Sequence, residues 1–362
     1  MSARVGRLRQ LLGTLGADAF LVASAHNLRY LTGFSGSNGL ALIDESRIVL
    51  VTDARYRIQA GLETEAAGSR VELHITNDPG AVLSTAGRGL ARIAFEAEHV
   101  TVARREVFAE GIAGELVPTV DVVERLRQDK DPHEIELLST AAGIADDAFT
   151  AIWDLLGEKL PNGLTERRVA AELDHMMRLG GADAPSFDTI VASGPNGAKP
   201  HARPGDRVIQ KGDLVVLDFG ARVDGYGSDM TRTVSAGACP SDRQLELYDA
   251  VLTAQRAGVA TVADGVPELA VDRACRNLLT DRGLGEAFSH GTGHGIGLQI
   301  HESPILSTRS VGILRSGLVI TVEPGIYLPD IGGIRVEDSV VVSSSGCTPI
   351  THSPKGLVPA FS

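Results

Sequence analysis

Three histidines lie close together in the glycine-rich segment SHGTGHGIGLQIHESP, residues 289–304. His290 and His294 are four positions apart, and His294 and His301 are seven positions apart. Histidine is the commonest protein ligand for metals and the usual side chain for proton transfer near neutral pH. The three could bind one metal ion, act as catalytic groups, or belong to a loop without chemistry, and the segment alone does not distinguish these.

Two aspartates follow the pattern of a β-hairpin in GDLVVLDFGARVDGYGSDMTRTV, residues 212–234, where apolar strands flank an Asp-Gly turn. Across a two-residue loop, Asp218 and Asp229 fall on the same face, directly opposite or one diagonal step apart. Like charges so placed are destabilising unless a cation lies between them. A shared proton, or an ion pair with Arg222 or Arg232, is the alternative.

Two glutamates extend this acidic pattern. LVITVEPGIYLP places Glu323 at the end of an apolar strand, and GGIRVEDSVVV places Glu337 within a strand rich in Val and Ile. With the two aspartates they supply four negative charges, which two divalent cations would neutralise. Oxygen-rich ligation with one imidazole favours Mn²⁺ or Co²⁺ over a closed structural zinc site. Two such ions could lower the pKa of a shared water and polarise a carbonyl.

Composition excludes several other classes of function. The chain has 362 residues and a net charge of −12, which argues against a nucleic acid or an anionic membrane as partner. No apolar stretch reaches the roughly 20 residues of a membrane span. The three cysteines are widely separated and form no CxxC pair, so a disulfide framework is not indicated and a cytoplasmic location is predicted.

The elements that must position these residues fall into two domains. Residues 1 to about 125 alternate helix-like and strand-like segments, which predicts an α/β domain. A polar break follows, and Pro132 suits the first position of a new helix. Helices and then segregated strands predict an α+β second domain. We place the domains at residues 1–128 and 133–362, with helices predicted at about 133–157, 165–180, 241–258 and 267–282.

Four segments, LDFGARVDGYGSDMTRT, SHGTGHGIGLQIHE, TVEPGIY and GGIRVEDSV, resemble in order and spacing the pita-bread metallopeptidases. This family comprises methionine aminopeptidase, prolidase and aminopeptidase P. YLTGFSGS and TDARY resemble the creatinase-type N-terminal domain of its proline-specific branch. The resemblance implies an α/β creatinase-like domain followed by an α+β pita-bread catalytic domain, in a short bacterial Xaa-Pro peptidase.

The resemblance also implies a ligand set for two metal ions. Asp229 and Glu337 would bridge the ions, Asp218 would hold one of them, and His294 and Glu323 would hold the other. Mn²⁺ is favoured, with Co²⁺ or Zn²⁺ as alternatives.

Further roles follow from the same resemblance. Glu323 would move the proton of the attacking water, and His301 would contact the substrate peptide and the tetrahedral intermediate as a catalytic residue. His201 would be a second substrate-contacting catalytic histidine, His290 would line the proline-side pocket, and Arg335 would support the bridging glutamate beside the substrate. Without the family, an exposed or loop position is the alternative for the three histidines, and a surface or ion-pairing position is the alternative for Arg335.

The implied reaction is hydrolysis of the bond between an N-terminal residue and proline by a metal-bound hydroxide. Xaa-Pro aminopeptidase is favoured, and Xaa-Pro dipeptidase (prolidase) is the alternative. A creatinase-type amidinohydrolase and a non-catalytic pita-bread binding protein are more distant alternatives, because members of both kinds lack the complete ligand set. The expected partners are proline-containing peptides, and the family resemblance also allows a homodimer.

Overall fold

The computed structural model of the protein describes residues 2–159, 163–357 and 359–360. The chain divides into two compact units, Met1–Arg127 and Gln128–Ser362. The outer ends of the two predicted domains, Met1 and Ser362, lie outside the described residues. Among the helices of the described ranges, none is both long and apolar enough to cross a membrane.

The first unit is built on one mixed six-stranded sheet in the order β4-β3-β2-β1-β5-β6. Its strands are β1 (Ala19–Val22), β2 (Gly39–Asp44), β3 (Ile48–Thr52), β4 (Glu72–Ile75), β5 (Arg92–Glu96) and β6 (Glu115–Thr119). The pairs β3–β4, β1–β5 and β5–β6 are parallel, whereas β2 is antiparallel to both of its neighbours. The apolar segments AFLVAS, LALIDE, RIVLVTD and ARIAFEA, which indicate strands in the sequence, coincide with β1, β2, β3 and β5, whereas β4 and β6 fall outside these segments.

Six α-helices accompany this sheet in the described residues of the unit. They are α1 (Ser2–Leu15), α2 (Ala25–Thr32), α3 (Arg57–Ala66), α4 (Pro79–Ala86), α5 (Val102–Gly111) and α6 (Val122–Gln128). Polar side chains cap several of their first turns: the carboxylate of Asp78 accepts from the amide of Ala81, and the hydroxyl of Thr101 accepts from that of Arg104. The strands bury apolar side chains such as Leu21, Leu42 and Ile93, giving this unit a core of its own.

The second unit begins with two helices and carries two more in the middle of its sequence. They are α7 (Pro132–Lys159), α8 (Glu166–Leu179), α9 (Asp242–Thr261) and α10 (Glu268–Asp281). Helix α7 begins at Pro132, as predicted, because the missing N–H of proline costs nothing in a first turn. Ser241 and Gln244 form a reciprocal capping box at the start of α9.

Within the ranges that the structure describes, the strands of the second unit form four sheets. They are β7 (Ala184–Pro185), β8 (Ile190–Ser193), β9 (Leu214–Phe219), β10 (Ala221–Val223), β11 (Tyr226–Gly227), β12 (Met230–Ala236), β13 (Gly293–Gly295), β14 (Glu302–Leu306), β15 (Val319–Val322), β16 (Gly325–Leu328), β17 (Gly332–Arg335), β18 (Asp338–Ser343), β19 (Gly346–Pro349) and β20 (Pro359–Ala360). The two larger sheets have the orders β20-β12-β9-β8 and β14-β13-β15-β18-β19. They position the residues singled out in the sequence.

Besides a small apolar cluster around Val216, two large ones fill the described part of this unit. One contains side chains of α7 and α8 together with Leu217 and Phe219 of β9. The other contains side chains of α9 and α10 together with Ile320 and Val340 of the five-stranded sheet. The predicted α+β arrangement of helices and segregated strands is therefore present.

Candidate active site

A cavity of about 260 Å³ in the second unit collects most of the predicted site residues. Its lining consists of Phe187, Ile190, Pro200, His201, Asp218, Asp229, His290, Gly291, Gly293, His294, His301, Ile305, Glu323 and Arg335. Glu337 is the one predicted site residue outside this lining, and it is almost fully buried next to it.

The first pair of carboxylates lies on the predicted hairpin. Asp224 and Gly225 have φ angles of 45° and 81°, which is the left-handed geometry of a type I′ turn. Thr231 faces Asp218 in the register of β9 and β12, so Asp229, two residues earlier, is diagonal to Asp218 on the same face. The spacing argument from the sequence therefore predicted this geometry correctly.

The second pair of carboxylates lies where the chain passes from one sheet to another. Val322 faces Asp338 between β15 and β18, and Gly325 faces Arg335 between β16 and β17. Continuing either register places Glu323 opposite Glu337. Glu337 therefore lies in the break between β17 and β18 and not within a strand, which corrects the prediction. Its amide bonds to the carbonyl of Thr231, at 3.2 Å, because the chain there changes neighbours.

The acidic residues converge on one point. One carboxylate oxygen each of Asp218, Asp229 and Glu337 lies within 4.8 Å of the other two. Among the described residues, Oδ1 of Asp218 and Oε1 of Glu337 are buried without a hydrogen-bond partner. Buried charged oxygens without partners are costly unless a cation or a proton satisfies them.

The same crowding raises the pKa values of three carboxyl groups, those of Asp229, Glu323 and Glu337. Burial, and then the charges of Glu337 and Asp218, raise the pKa of Asp229 well above its usual value. Burial and the charge of Glu337 do the same to the pKa of Glu323. Burial and the charge of Asp218 raise the pKa of Glu337 to about 8. This donor set fits divalent cations, which would stabilise the ionised form of all these groups.

His294 adds a nitrogen donor to this cluster. Its Nδ1 lies 3.0 Å from the carbonyl oxygen of Gly295, so Nδ1 carries the hydrogen and Nε2 keeps its lone pair. Nε2 is 3.4 Å from Oε1 of Glu323 and 3.6 Å from Oδ2 of Asp229. Burial lowers the pKa of His294 to about 4, which keeps the imidazole neutral and suited to a metal. The five predicted ligands thus form two groups that share Asp229.

The glycine before His294 is required by close packing. A Cβ at Gly293 would lie 2.0 Å from the carbonyl oxygen of Thr321, on the adjoining strand β15. Strand β13 can therefore bring His294 to Glu323 only because residue 293 has no side chain.

Arg335 contacts the cluster directly. Its buried guanidinium donates from Nη2 to Oδ2 of Asp218 at 2.5 Å and from Nε to the hydroxyl of Thr231 at 3.0 Å. Thr231 in turn donates to Oε2 of Glu337 at 2.7 Å. The cationic partner of Asp218 is therefore Arg335, and not Arg222 or Arg232. Burial alone would lower the pKa of Arg335, but Tyr327, Asp218 and Glu323 raise it overall.

Tyr327, which the sequence did not single out, connects His290 to Arg335 by hydrogen bonds. Nδ1 of His290 lies 2.7 Å from the carbonyl oxygen of Gly291, so Nε2 accepts a hydrogen bond from the hydroxyl of Tyr327 at 2.8 Å. The same hydroxyl accepts from Nη1 of Arg335 at 2.7 Å. The signal for Tyr327 was weak, because it lies four residues after Glu323 on a different strand.

His201 and His301 line the cavity and are exposed to solvent. The ring of His301 packs against that of His294, with 4.4 Å between their centroids. Phe187, Ile190 and Ile305 add apolar surface to the same cavity. These three were not predicted either, since apolar residues outside a motif resemble ordinary core positions. The three histidines of the opening motif thus differ in surroundings, and only His294 touches the acidic cluster.

The chain resembles characterised proteins along its whole length. Residues 136–344 match metallopeptidase family M24, and residues 4–128 match the Creatinase/Prolidase N-terminal domain. An Xaa-Pro dipeptidase from Pyrococcus horikoshii is 34% identical over 360 residues, 99% of each chain. The structure of an Xaa-Pro dipeptidase from Bacillus anthracis covers 99% of both chains at 40% identity, with a TM-score of 0.92. An X-Pro aminopeptidase from Thermotoga maritima shares 35% identity over 96% of this chain and 99% of its own, with a TM-score of 0.88. The predicted two-domain fold class is confirmed.

Proposed function

Because the chain belongs to metallopeptidase family M24, we propose that this metal-dependent hydrolase cleaves the bond between an N-terminal residue and proline. The observation that carries the proposal is the group of buried carboxylates beside a neutral His294, with two carboxylate oxygens lacking partners among the described residues.

Within this reaction, a dipeptide is the proposed substrate. The sequence argument favoured Xaa-Pro aminopeptidase, but the relatives from Bacillus anthracis and Pyrococcus horikoshii bear the name Xaa-Pro dipeptidase. The cavity of about 260 Å³ lies below the roughly 300–1,000 Å³ of typical ligand pockets, which suits a short peptide. Xaa-Pro aminopeptidase remains the second candidate, supported by the relative from Thermotoga maritima.

The five ligands would hold two divalent cations, for which Mn²⁺ is proposed, with Co²⁺ or Zn²⁺ as alternatives. Asp229, which lies in both groups, and Glu337 would be shared between the ions. Asp218 would complete one position, and His294 with Glu323 the other. When bound, such a pair lowers the pKa of a water molecule and polarises the scissile carbonyl.

The side chains around the two metal positions would each have a separate role in the reaction. Glu323 lines the cavity, where it could take a proton from water and pass it to the leaving amine. His301 and His201, both exposed in the cavity, would donate hydrogen bonds to the peptide. His290 and the apolar side chain of Ile305 would enclose the proline ring. Arg335 would hold Asp218 in place beside the substrate.

The setting of the reaction is also part of the proposal. Three unpaired cysteines suit a reducing compartment, so we place the protein in the cytoplasm. Its partners would be proline-containing peptides, and assembly into a homodimer is compatible with the family.

The deciding experiment is an assay of the Mn²⁺-loaded protein on Xaa-Pro dipeptides and Xaa-Pro-Xaa tripeptides side by side. Cleavage of dipeptides alone, abolished by a chelator, is the expected result. Cleavage of tripeptides would make the protein an aminopeptidase. If neither peptide is cut by protein that demonstrably holds two metals, the proline specificity is wrong.

A further inference from the structure

A partly buried ion pair on α10 is hydrogen-bonded to the loop that carries His290. Asp272 and Arg276 are one turn apart on this helix, and Asp272 is 0% exposed. Nε and Nη2 of Arg276 donate to the two carboxylate oxygens of Asp272 at 2.9 and 2.8 Å. Neither residue lines the cavity. Their contacts with the loop nevertheless extend to it.

Arg276 donates to the backbone on the loop's near side. Its Nη1 bonds to the carbonyl oxygen of Phe288 at 3.0 Å, and its Nη2 bonds to that of His290 at 2.8 Å. The guanidinium also lies over the ring of Phe288, 4.2 Å from the centroid. The rings of Phe288 and His290 then meet edge to face, with 5.1 Å between their centroids. Arg276 thus fixes His290 both through its backbone and through the aromatic ring that supports it.

Asp272 holds the loop's far side. Its Oδ1 accepts from the hydroxyl of Thr292 at 2.9 Å, and Thr292 is completely buried. The carbonyl oxygen of Thr292 accepts from the amide of Glu323 at 2.7 Å. Hydrogen bonds from the ion pair therefore reach the loop at Phe288, His290 and Thr292.

Asp272 and Arg276 make more hydrogen bonds than an ion pair between two residues of one helix requires. A single-turn pair is satisfied by its own two side chains, yet both partners also donate to or accept from the loop. A lysine could not replace this set, because its single nitrogen lacks the planar fork that binds a carboxylate and two carbonyls together.

We propose that Arg276, held by Asp272, is a positioning residue that sets His290 and thereby the wall of the pocket that receives the residue after the scissile bond. The proposal rests on the proposed function, which makes that residue a proline. Arg276 itself contacts the loop at Phe288 and His290, whereas Asp272 contacts Thr292. Arg276 would therefore govern how tightly proline is bound more than how fast the bond is broken.

The test is the variant Arg276→Lys, assayed on Ala-Pro and Ala-Ala with Mn²⁺. We expect KM for Ala-Pro to rise about 10- to 100-fold, as for other residues that orient a site from behind, with a smaller change in kcat. Discrimination between the two dipeptides should fall, and metal content should stay the same. Arg207→Lys is the matched control, since Arg207 pairs with Asp213 in the same unit outside the cavity lining. It should leave KM unchanged.

A second measurement does not depend on peptidase activity. Nitrogen NMR of histidine-labelled protein, recorded with Zn²⁺ and assigned with His290→Gln, should show His290 as the Nδ1–H tautomer. In Arg276→Lys this signal should shift toward that of a mobile, solvent-averaged ring. If the wild-type protein cuts neither dipeptide, the proposed function fails while this signal still decides the role of Arg276.

Two outcomes would overturn the inference. An unchanged His290 signal in Arg276→Lys would do so, as would a loss of kcat for both dipeptides at constant KM. Should Arg276→Lys not fold, Thr292→Val removes only the hydroxyl that bonds to Asp272. It should raise KM for Ala-Pro in the same direction by a smaller factor, and a variant with wild-type KM would refute the role of the ion pair.

Discussion

Asp218 faces Arg335 with one carboxylate oxygen and the acidic cluster with the other. Oδ2 accepts from Nη2 of Arg335 at 2.5 Å, whereas Oδ1 has no partner among the residues that the structure describes. The guanidinium of Arg335 neutralises the charge at Oδ2, and Oδ1 is left available to a cation. Asp218 can therefore be held by Arg335 and still offer an oxygen to a metal ion. The first two predictions follow from this arrangement.

Replacing a proposed ligand with its amide should remove metal while retaining the fold. Glu337→Gln takes away one of the crowded carboxyl groups, so the metal-free protein should melt at the same or a higher temperature. Asp218→Asn also removes the ion-pair partner of Arg335, so the metal-free protein should melt at a lower temperature. Activity should fall at least about 100-fold, because a ligand of the centre is lost. Metal content by mass spectrometry and thermal melting check both parts. Full turnover with two bound metals would contradict the ligand assignment, and Asp330→Asn, an exposed position, is the control.

Arg335→Met should act through Asp218. Losing the guanidinium leaves Oδ2 of Asp218 and the hydroxyls of Thr231 and Tyr327 without this donor, in a buried site where such losses are costly. We expect weaker metal binding together with lower activity. Calorimetric titration with Mn²⁺ measures the first independently of turnover. Wild-type affinity in this variant would restrict Arg335 to substrate contacts.

The stability of the metal-free protein should fall as pH rises from about 6.5 to about 8. The folded pKa of Glu337 is raised from 4.5 to about 8, so the fold favours its protonated form, and this stability is lost on approach to pH 8. His290 and His294 act in the opposite direction, but only below 6.5, because burial lowers their pKa values to about 4.

One such carboxyl group changes the free energy of unfolding by about 1.4 kcal/mol per pH unit within this window. Urea denaturation at several pH values, with a chelator present, measures the slope. Glu337→Gln should make it shallower, and added Mn²⁺ should abolish it. A stability that is flat with pH in the chelated protein would show that these carboxyl groups are not crowded as described.

The sequence predicted the parts of this site that depend on local spacing. A two-residue turn fixes the relation of Asp218 to Asp229, so counting residues along one hairpin was sufficient. Counting was insufficient for Glu337, because the chain leaves one sheet for another at Val336 and the strand pattern continues unbroken across the change. The network of Tyr327, Arg335 and His290 joins residues on different elements, and their spacing carries no signal of contact.

The glycine before His294 offers a test of close packing. Gly293→Ala would place a methyl group 2.0 Å from the carbonyl of Thr321, so β13 must move and take His294 with it. We expect a loss of roughly 3 kcal/mol or more in the free energy of unfolding, together with loss of activity. Gly143→Ala is the matched control, because Gly143 lies in α7 and, apart from its chain neighbours and its own helix backbone, no described atom lies within 4 Å of its Cβ position. That variant should be stabilised by up to about 1 kcal/mol.

The last prediction concerns Arg232, which is 1% exposed and braces the strands behind the acidic cluster. It pairs with Asp338 at 3.0 Å and donates to the carbonyl oxygens of Thr231, at 2.9 Å, and of Glu337. Both carbonyls belong to residues whose side chains bond to each other within the site. Arg232→Met removes the charge and these donors, so we expect a loss of about 3–5 kcal/mol in the free energy of unfolding.

Arg243→Met is the comparison for this variant, since Arg243 forms an exposed pair with Glu246 that should contribute at most about 1 kcal/mol. Urea denaturation of both variants gives the difference directly. Because Asp338 also accepts from Gln255 and Lys355, part of its charge stays compensated in Arg232→Met. A loss as small as that of Arg243→Met would therefore mean that these two neighbours suffice. The carbonyls of Thr231 and Glu337 would then need no donor from Arg232 to hold the strands together.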